Sequence, residues 1–96
     1  MKTIDFDFLL KKVDGTITDF HCGRELALHL SQSPSSKDAL KQFELAKKIH
    51  KDGKISLETS DFTFLKEAVN DMQGMTVFFK AQILEAIANA KEEKEK

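Results

Sequence analysis

Apolar and polar positions alternate at the start of the chain, where Ile4, Phe6, Phe8 and Leu10 are interleaved with Asp5 and Asp7. A period of two places such residues on one face of a strand, so a half-buried strand is predicted here. Asp14-Gly15 supplies a turn, and the β-branched stretch Thr16-Ile17-Thr18 that follows predicts the return strand of a hairpin. A strict two-residue loop would pair Lys12 with Ile17 and Val13 with Thr16, mixing polar and apolar side chains on one face. A bulged three-residue or longer loop fits equally well, and the register stays open.

The period then lengthens. Cys22, Leu26, Ala27 and Leu30 form one apolar stripe over residues 22–30, which predicts a short helix ended by the polar segment 31–36 with its Pro34. Ser35, three residues before Asp38, resembles a capping box with a shortened acid and opens a second helix over residues 39–50. Leu40, Phe43 and Ala46, with Leu45 and Ile49 alongside, are its expected buried face, and Gly53 its expected stop. Lys54-Ile55-Ser56-Leu57-Glu58 alternates again and is expected to join the hairpin as a third strand, since a lone two-stranded ribbon is marginal in water. Thr59 or Ser60 offers a cap to a third helix over residues 61–72, with Phe62, Leu65, Ala68, Val69 and Met72 at helical spacing. Past Gly74, Thr76 can cap a fourth helix over residues 77–90, whose expected stripe is Val77, Ala81, Leu84 and Ala88, with Phe78 and Ile87 nearby. The pattern therefore predicts an α+β domain, mostly helical, in the order β-β-α-α-β-α-α, with four amphipathic helices against a small antiparallel sheet. Residues 1–90 form the domain, and the wholly charged segment 91–96 is expected to fray into solvent.

Composition narrows the function classes. Ninety-six residues make one domain, expected to bury roughly 60–70% of its unfolded surface. Fifteen Lys and Arg against sixteen Asp and Glu give a net charge of −1, which provides no broad field for phosphate backbones or anionic lipid and disfavours nucleic acid as a partner. No run approaches the roughly 20 apolar residues of a membrane span, and the N-terminus lacks a signal-peptide pattern. The single Cys22 fits a reducing cytoplasm. Eight Phe with no Trp or Tyr put the aromatic content in side chains without a polar handle.

Several short motifs invite chemistry and fail on their ligands. Residues 51–58 look like the second half of an EF-hand loop, yet with Gly53 at its sixth position the ligands would include Lys48, His50 and Thr59 where carboxylates are needed. His21-Cys22 with Asp19 contains the residue types of a thiol nucleophile, base and orienter, but adjacent side chains usually point apart, and a small buried cysteine is the simpler expectation. His21, Cys22 and His29 lack the spacing and the fourth ligand of a metal site. No catalytic, metal or cofactor site is expected, and the chain does not read as an enzyme.

Two surface features remain. Lys47, Lys48, Lys51 and Lys54 form the one notable basic cluster and carry the alternative function, a small nucleic-acid-associated regulator. Glu44, Asp52 and Glu58 lie close by, so a solvated helix end compensating its dipole accounts for most of that charge. Met75, Phe78 and Phe79 can form an apolar patch for a protein partner or for self-association, although adjacent Phe78 and Phe79 cannot share the centre of one helical stripe.

The chain resembles a group of small uncharacterised proteins encoded in tailed-phage and prophage genomes. The resemblance rests on Asp14-Gly15, on Gly23 with Leu26, Ala27 and Leu30, and on Asp38-Ala39-Leu40-Lys41 and Ala46-Lys47. It continues through Gly53, Leu57, Asp61, Leu65-Lys66, Thr76-Val77 and Lys80-Ala81-Gln82-Ile83-Leu84-Glu85. Phe43 and Leu45 stand in the second helix where the group is expected to carry one or two Trp. The group brings no catalytic residues. The resemblance implies a non-enzymatic accessory protein that works by contact with other proteins, in the cytoplasm of a host cell.

Overall fold

A computed structural model describes residues 1–33 and 37–92. The elements run β1 (Lys2–Asp5), β2 (Leu9–Lys11), β3 (Ile17–His21), α1 (Cys22–Gln32), α2 (Ala39–Asp52), β4 (Lys54–Leu57), α3 (Thr59–Asp71), α4 (Val77–Ala88) and β5 (Lys91–Glu92). The fold is α+β and mostly helical, four helices packed with short antiparallel strands. Pro34, the Ser35 cap and residues 93–96 lie outside the described residues.

The first alternating run is not one strand. It breaks at Asp7 into β1 and β2, which belong to different sheets, one in the order β4-β1-β5 and the other the β2-β3 hairpin. At the break the Phe8 N–H donates to the Phe6 carbonyl at 2.9 Å, a three-residue turn, and the Asp7 N–H donates to its neighbour Asp5 Oδ1 at 2.8 Å. Ile4, Phe6 and Leu10 are all buried, so the alternation correctly marks the inward side while giving no sign of the kink. The corner is held between two glycines. A Cβ on Gly23 would stand 2.8 Å from the Phe6 carbonyl oxygen, and one on Gly53 would stand 3.1 Å from Asp7 Cβ. Gly53 also ends α2 with a positive φ of 69° that side chains rarely adopt, while its carbonyl accepts the Phe6 N–H at 2.8 Å.

β4 consequently joins β1 rather than the hairpin, with Ile4 opposite Ile55 and Thr3 opposite Ser56, whose hydroxyls bond across the ladder at 2.9 Å. The first two residues of the charged tail are not frayed. Lys91 and Glu92 form β5 opposite Thr3 and Lys2. In the hairpin, the Lys12 N–H donates to the Thr16 carbonyl, leaving the three-residue loop Val13-Asp14-Gly15 with Gly15 at φ 89°. Asp14 Oδ1 accepts the Thr16 N–H at 3.0 Å, which lowers the Asp14 carboxyl below the ordinary carboxylate range. The β2-β3 ladder is irregular between Leu9 and Lys11, and the Thr18 hydroxyl fills the gap by donating to the Leu10 carbonyl at 2.8 Å.

α1 buries the expected Cys22, Leu26, Ala27 and Leu30. α2 is rotated from the expectation: Leu45, Ala46 and Ile49 are buried together with Gln42, whereas Leu40 is 72% and Phe43 50% exposed. Packing against α1 decides the rotation, because Gln42 Nε2 donates to the carbonyl of Leu30 at 2.8 Å and satisfies a group that the end of α1 leaves without a helical partner. Asp38 caps α2, its Oδ1 accepting the Lys41 N–H at 3.0 Å. α3 begins at Thr59, two residues earlier than expected, so Glu58 rather than Thr59 or Ser60 takes the cap position, with no side-chain cap bond. Its other end is capped by α4, since Lys80 Nζ donates to the carbonyls of Asn70 and Met72 at 2.7 and 3.1 Å.

Candidate functional site

α4 has an unusual distribution of apolar side chains. The buried residues Phe79, Ile83 and Ile87 recur at intervals of four and face the core. The predicted stripe is the other side: Val77, Ala81 and Ala88 are exposed and Leu84 is half-buried. Apolar residues occupy nearly the whole circumference of this helix, so periodicity alone does not choose which side is inward. Packing against β1, α1 and α3 and the aromatic pocket for Phe79 make that choice. The Phe79 ring meets Phe20 edge-on, with centroids 5.0 Å apart, and tilts against His29 at 5.5 Å.

The proposed trio of Met75, Phe78 and Phe79 is therefore divided. Phe79, at 2% exposure, is core and is withdrawn as a partner-binding residue, because the pocket between β3 and α1 consumes its ring. Met75 is half-buried and packs on the core. Phe78 is 38% exposed and lies beside Val77, which is 86% exposed. Together with Ala81, Ala88 and the edge of Leu84, these give α4 an outward apolar face interrupted by Glu85.

A side-chain clamp fixes this helix to the hairpin. Gln82 Oε1 accepts the Lys11 N–H at 3.0 Å while Gln82 Nε2 donates to the Lys11 carbonyl at 2.7 Å, so one amide side chain pairs with the free edge of β2 as a neighbouring strand would. Beside the clamp a groove of about 400 Å³ opens between α4, both sheets and β5, floored by Phe8, Leu9 and Ala86 and carrying Lys11, Lys54 and Lys91. The sequence gives no direct signal for it, since its lysines come from three elements far apart in the chain.

The lysine cluster is divided between α2 and β4. Lys47 Nζ is 2.9 Å from Glu44 Oε1 and 5.0 Å from the centroid of the Phe43 ring, whereas Lys48 and Lys51 are solvated on α2. Lys54 lies on β4 opposite Asp5 and lines the groove instead. Three of the four lysines thus stay exposed on one helix, one of them paired with Glu44, and the fourth lines the groove.

The residues around Cys22 are committed to structure. His21 Nδ1 accepts the Arg24 N–H at 3.2 Å, capping α1, and Nε2 donates to Asp7 Oδ1 at 2.8 Å. Both ring nitrogens are therefore occupied, and burial pushes the Cys22 thiol up to about 11. That direction is opposite to what a thiolate nucleophile requires. Among the described residues no three His, Cys, Asp or Glu side chains are grouped to hold a metal ion, and no helix is long and apolar enough to cross a membrane. In comparisons with protein-family models, curated proteins and solved structures, nothing matches this chain.

Proposed function

We propose that the protein is a non-enzymatic accessory protein that acts by docking on other proteins, with the outward face of α4 as its contact surface. The observation that carries this reading is the exposure of Val77 and Phe78 on a helix that already buries a full apolar stripe elsewhere. Contiguous exposed apolar side chains are a recurrent feature of interaction surfaces. Twelve residues make a helix roughly 18 Å long, so this face alone is small against the roughly 800 Å² per partner of a standard interface. In the phage or prophage setting that the resemblance implies, this contact operates in the host cytoplasm.

The test is affinity capture of the tagged chain from its native lysate, with and without nuclease, using the wild type, Val77→Asp with Ala81→Asp, and Leu40→Ser on α2. A nuclease-resistant partner lost only with the α4 variant is the expected result. Equal capture by all three removes α4 as the contact surface, and capture abolished by nuclease transfers the function to nucleic acid. Light scattering at high concentration separates self-association from binding to a different protein.

A further inference from the structure

The groove beside the Gln82 clamp has the lining of a ligand site in its own right. Its volume of about 400 Å³ falls at the small end of the range for small-molecule sites, and its floor of Phe8, Leu9 and Ala86 is apolar. Lys11 enters from β2, Lys54 from β4 and Lys91 from β5. None of the three makes an ion pair within 4 Å among the described residues, although Asp5 and Glu85 line the same groove. Asp5, opposite Lys54 on the ladder, accepts a backbone N–H from Asp7 at one carboxylate oxygen, and the Gln82 amide is spent on Lys11, so the lysines are the cationic donors of the lining. Three ammonium groups against two carboxylates leave one excess positive charge in the lining.

We infer that this groove binds a small organic monoanion, a carboxylate carried on an apolar body, with the carboxylate among Lys11, Lys54 and Lys91 and the body against Phe8, Leu9 and Ala86. The charge balance chooses the carboxylate over a phosphate monoester. A monoester carries nearly two negative charges at neutral pH and would leave the groove net negative, whereas one carboxylate neutralises it. The apolar floor adds burial that a bare inorganic anion cannot use.

The experiment is a two-dimensional NMR titration of the full chain with phenylacetate, phenyl phosphate and 2-phenylethanol. Phenylacetate is expected to give saturable shifts at the amides of Phe8, Leu9, Lys11 and Ala86, with 2-phenylethanol and phenyl phosphate both weaker. Lys54→Met and Lys91→Met, each on an exposed side chain, are expected to weaken phenylacetate roughly tenfold, while Lys48→Met outside the groove leaves it unchanged. Absence of saturation below ~20 mM overturns the site. Equal binding of the alcohol, or no loss in either lysine variant, removes the lysines from recognition and overturns it too. Tighter binding of phenyl phosphate overturns the carboxylate assignment.

Discussion

α2 and α4 depart from their sequence patterns in the same way and treat the consequence differently. Each helix shows solvent apolar side chains that helical spacing assigned to the core: Leu40 and Phe43 on α2, Val77 and Ala81 on α4. Each also uses a glutamine to bond a neighbouring element's backbone, Gln42 to the Leu30 carbonyl and Gln82 to both polar groups of Lys11. On α2 the displaced aromatic is screened, since the Lys47 ammonium lies over the Phe43 ring and pairs with Glu44. On α4 no ammonium among the described residues lies over Phe78, and Val77 is almost fully exposed. α2 places a cation over one of its two exposed apolar side chains, leaving Leu40 uncovered, whereas α4 places none over Phe78.

The sharpest way to break this comparison is through the faces both helices bury. Ile83→Ala on α4 and Ile49→Ala on α2 should each cost about 2–5 kcal/mol in urea unfolding, the ordinary cost of truncating a buried isoleucine. A loss below about 1 kcal/mol at Ile83 would mean that α4 does not bury the side described here. The two glutamines come next. Gln42→Ala removes the side-chain donor to the Leu30 carbonyl from a buried site and should cost about 1–3 kcal/mol. Gln82→Ala breaks two bonds at an exposed edge that water can replace in part, so about 1–2 kcal/mol is expected, together with faster amide exchange at Lys11.

The smallest effects on stability carry the functional contrast. Val77→Asp should change stability by less than about 0.5 kcal/mol because the side chain touches little, yet it should abolish partner capture. Lys47→Ala should cost no more than about 0.5–1 kcal/mol by unfolding, and should raise binding of a hydrophobic dye by uncovering Phe43. If the dye signal instead rises equally for Lys47→Ala and for an exposed control such as Lys48→Ala, the screening of Phe43 has no physical content.

Much of the architecture was legible along the chain. The four helices, the β-strand at residues 54–57, the stop at Gly53 and the burial of Ile4, Phe6 and Leu10 all follow from local periodicity and backbone chemistry. The split of the first strand was not legible, because both halves send the same alternate residues into one core and the kink is imposed by the approach of Gly23 and Gly53. The site was legible only in part. Adjacent Phe78 and Phe79 had to diverge, but which one the core would take depended on Phe20 and His29 from other elements.

Near-neighbour spacing along the chain determines the class of fold and the order of the four helices, since both follow from local periodicity. The tertiary structure alone decided the rotation of α2 and α4, the sheet to which each strand belongs, and the meeting of Lys11, Lys54 and Lys91 around one groove. A helix apolar on most sides has several nearly equivalent ways to face inward, and only contacts with residues distant in the chain make one of them lower in free energy.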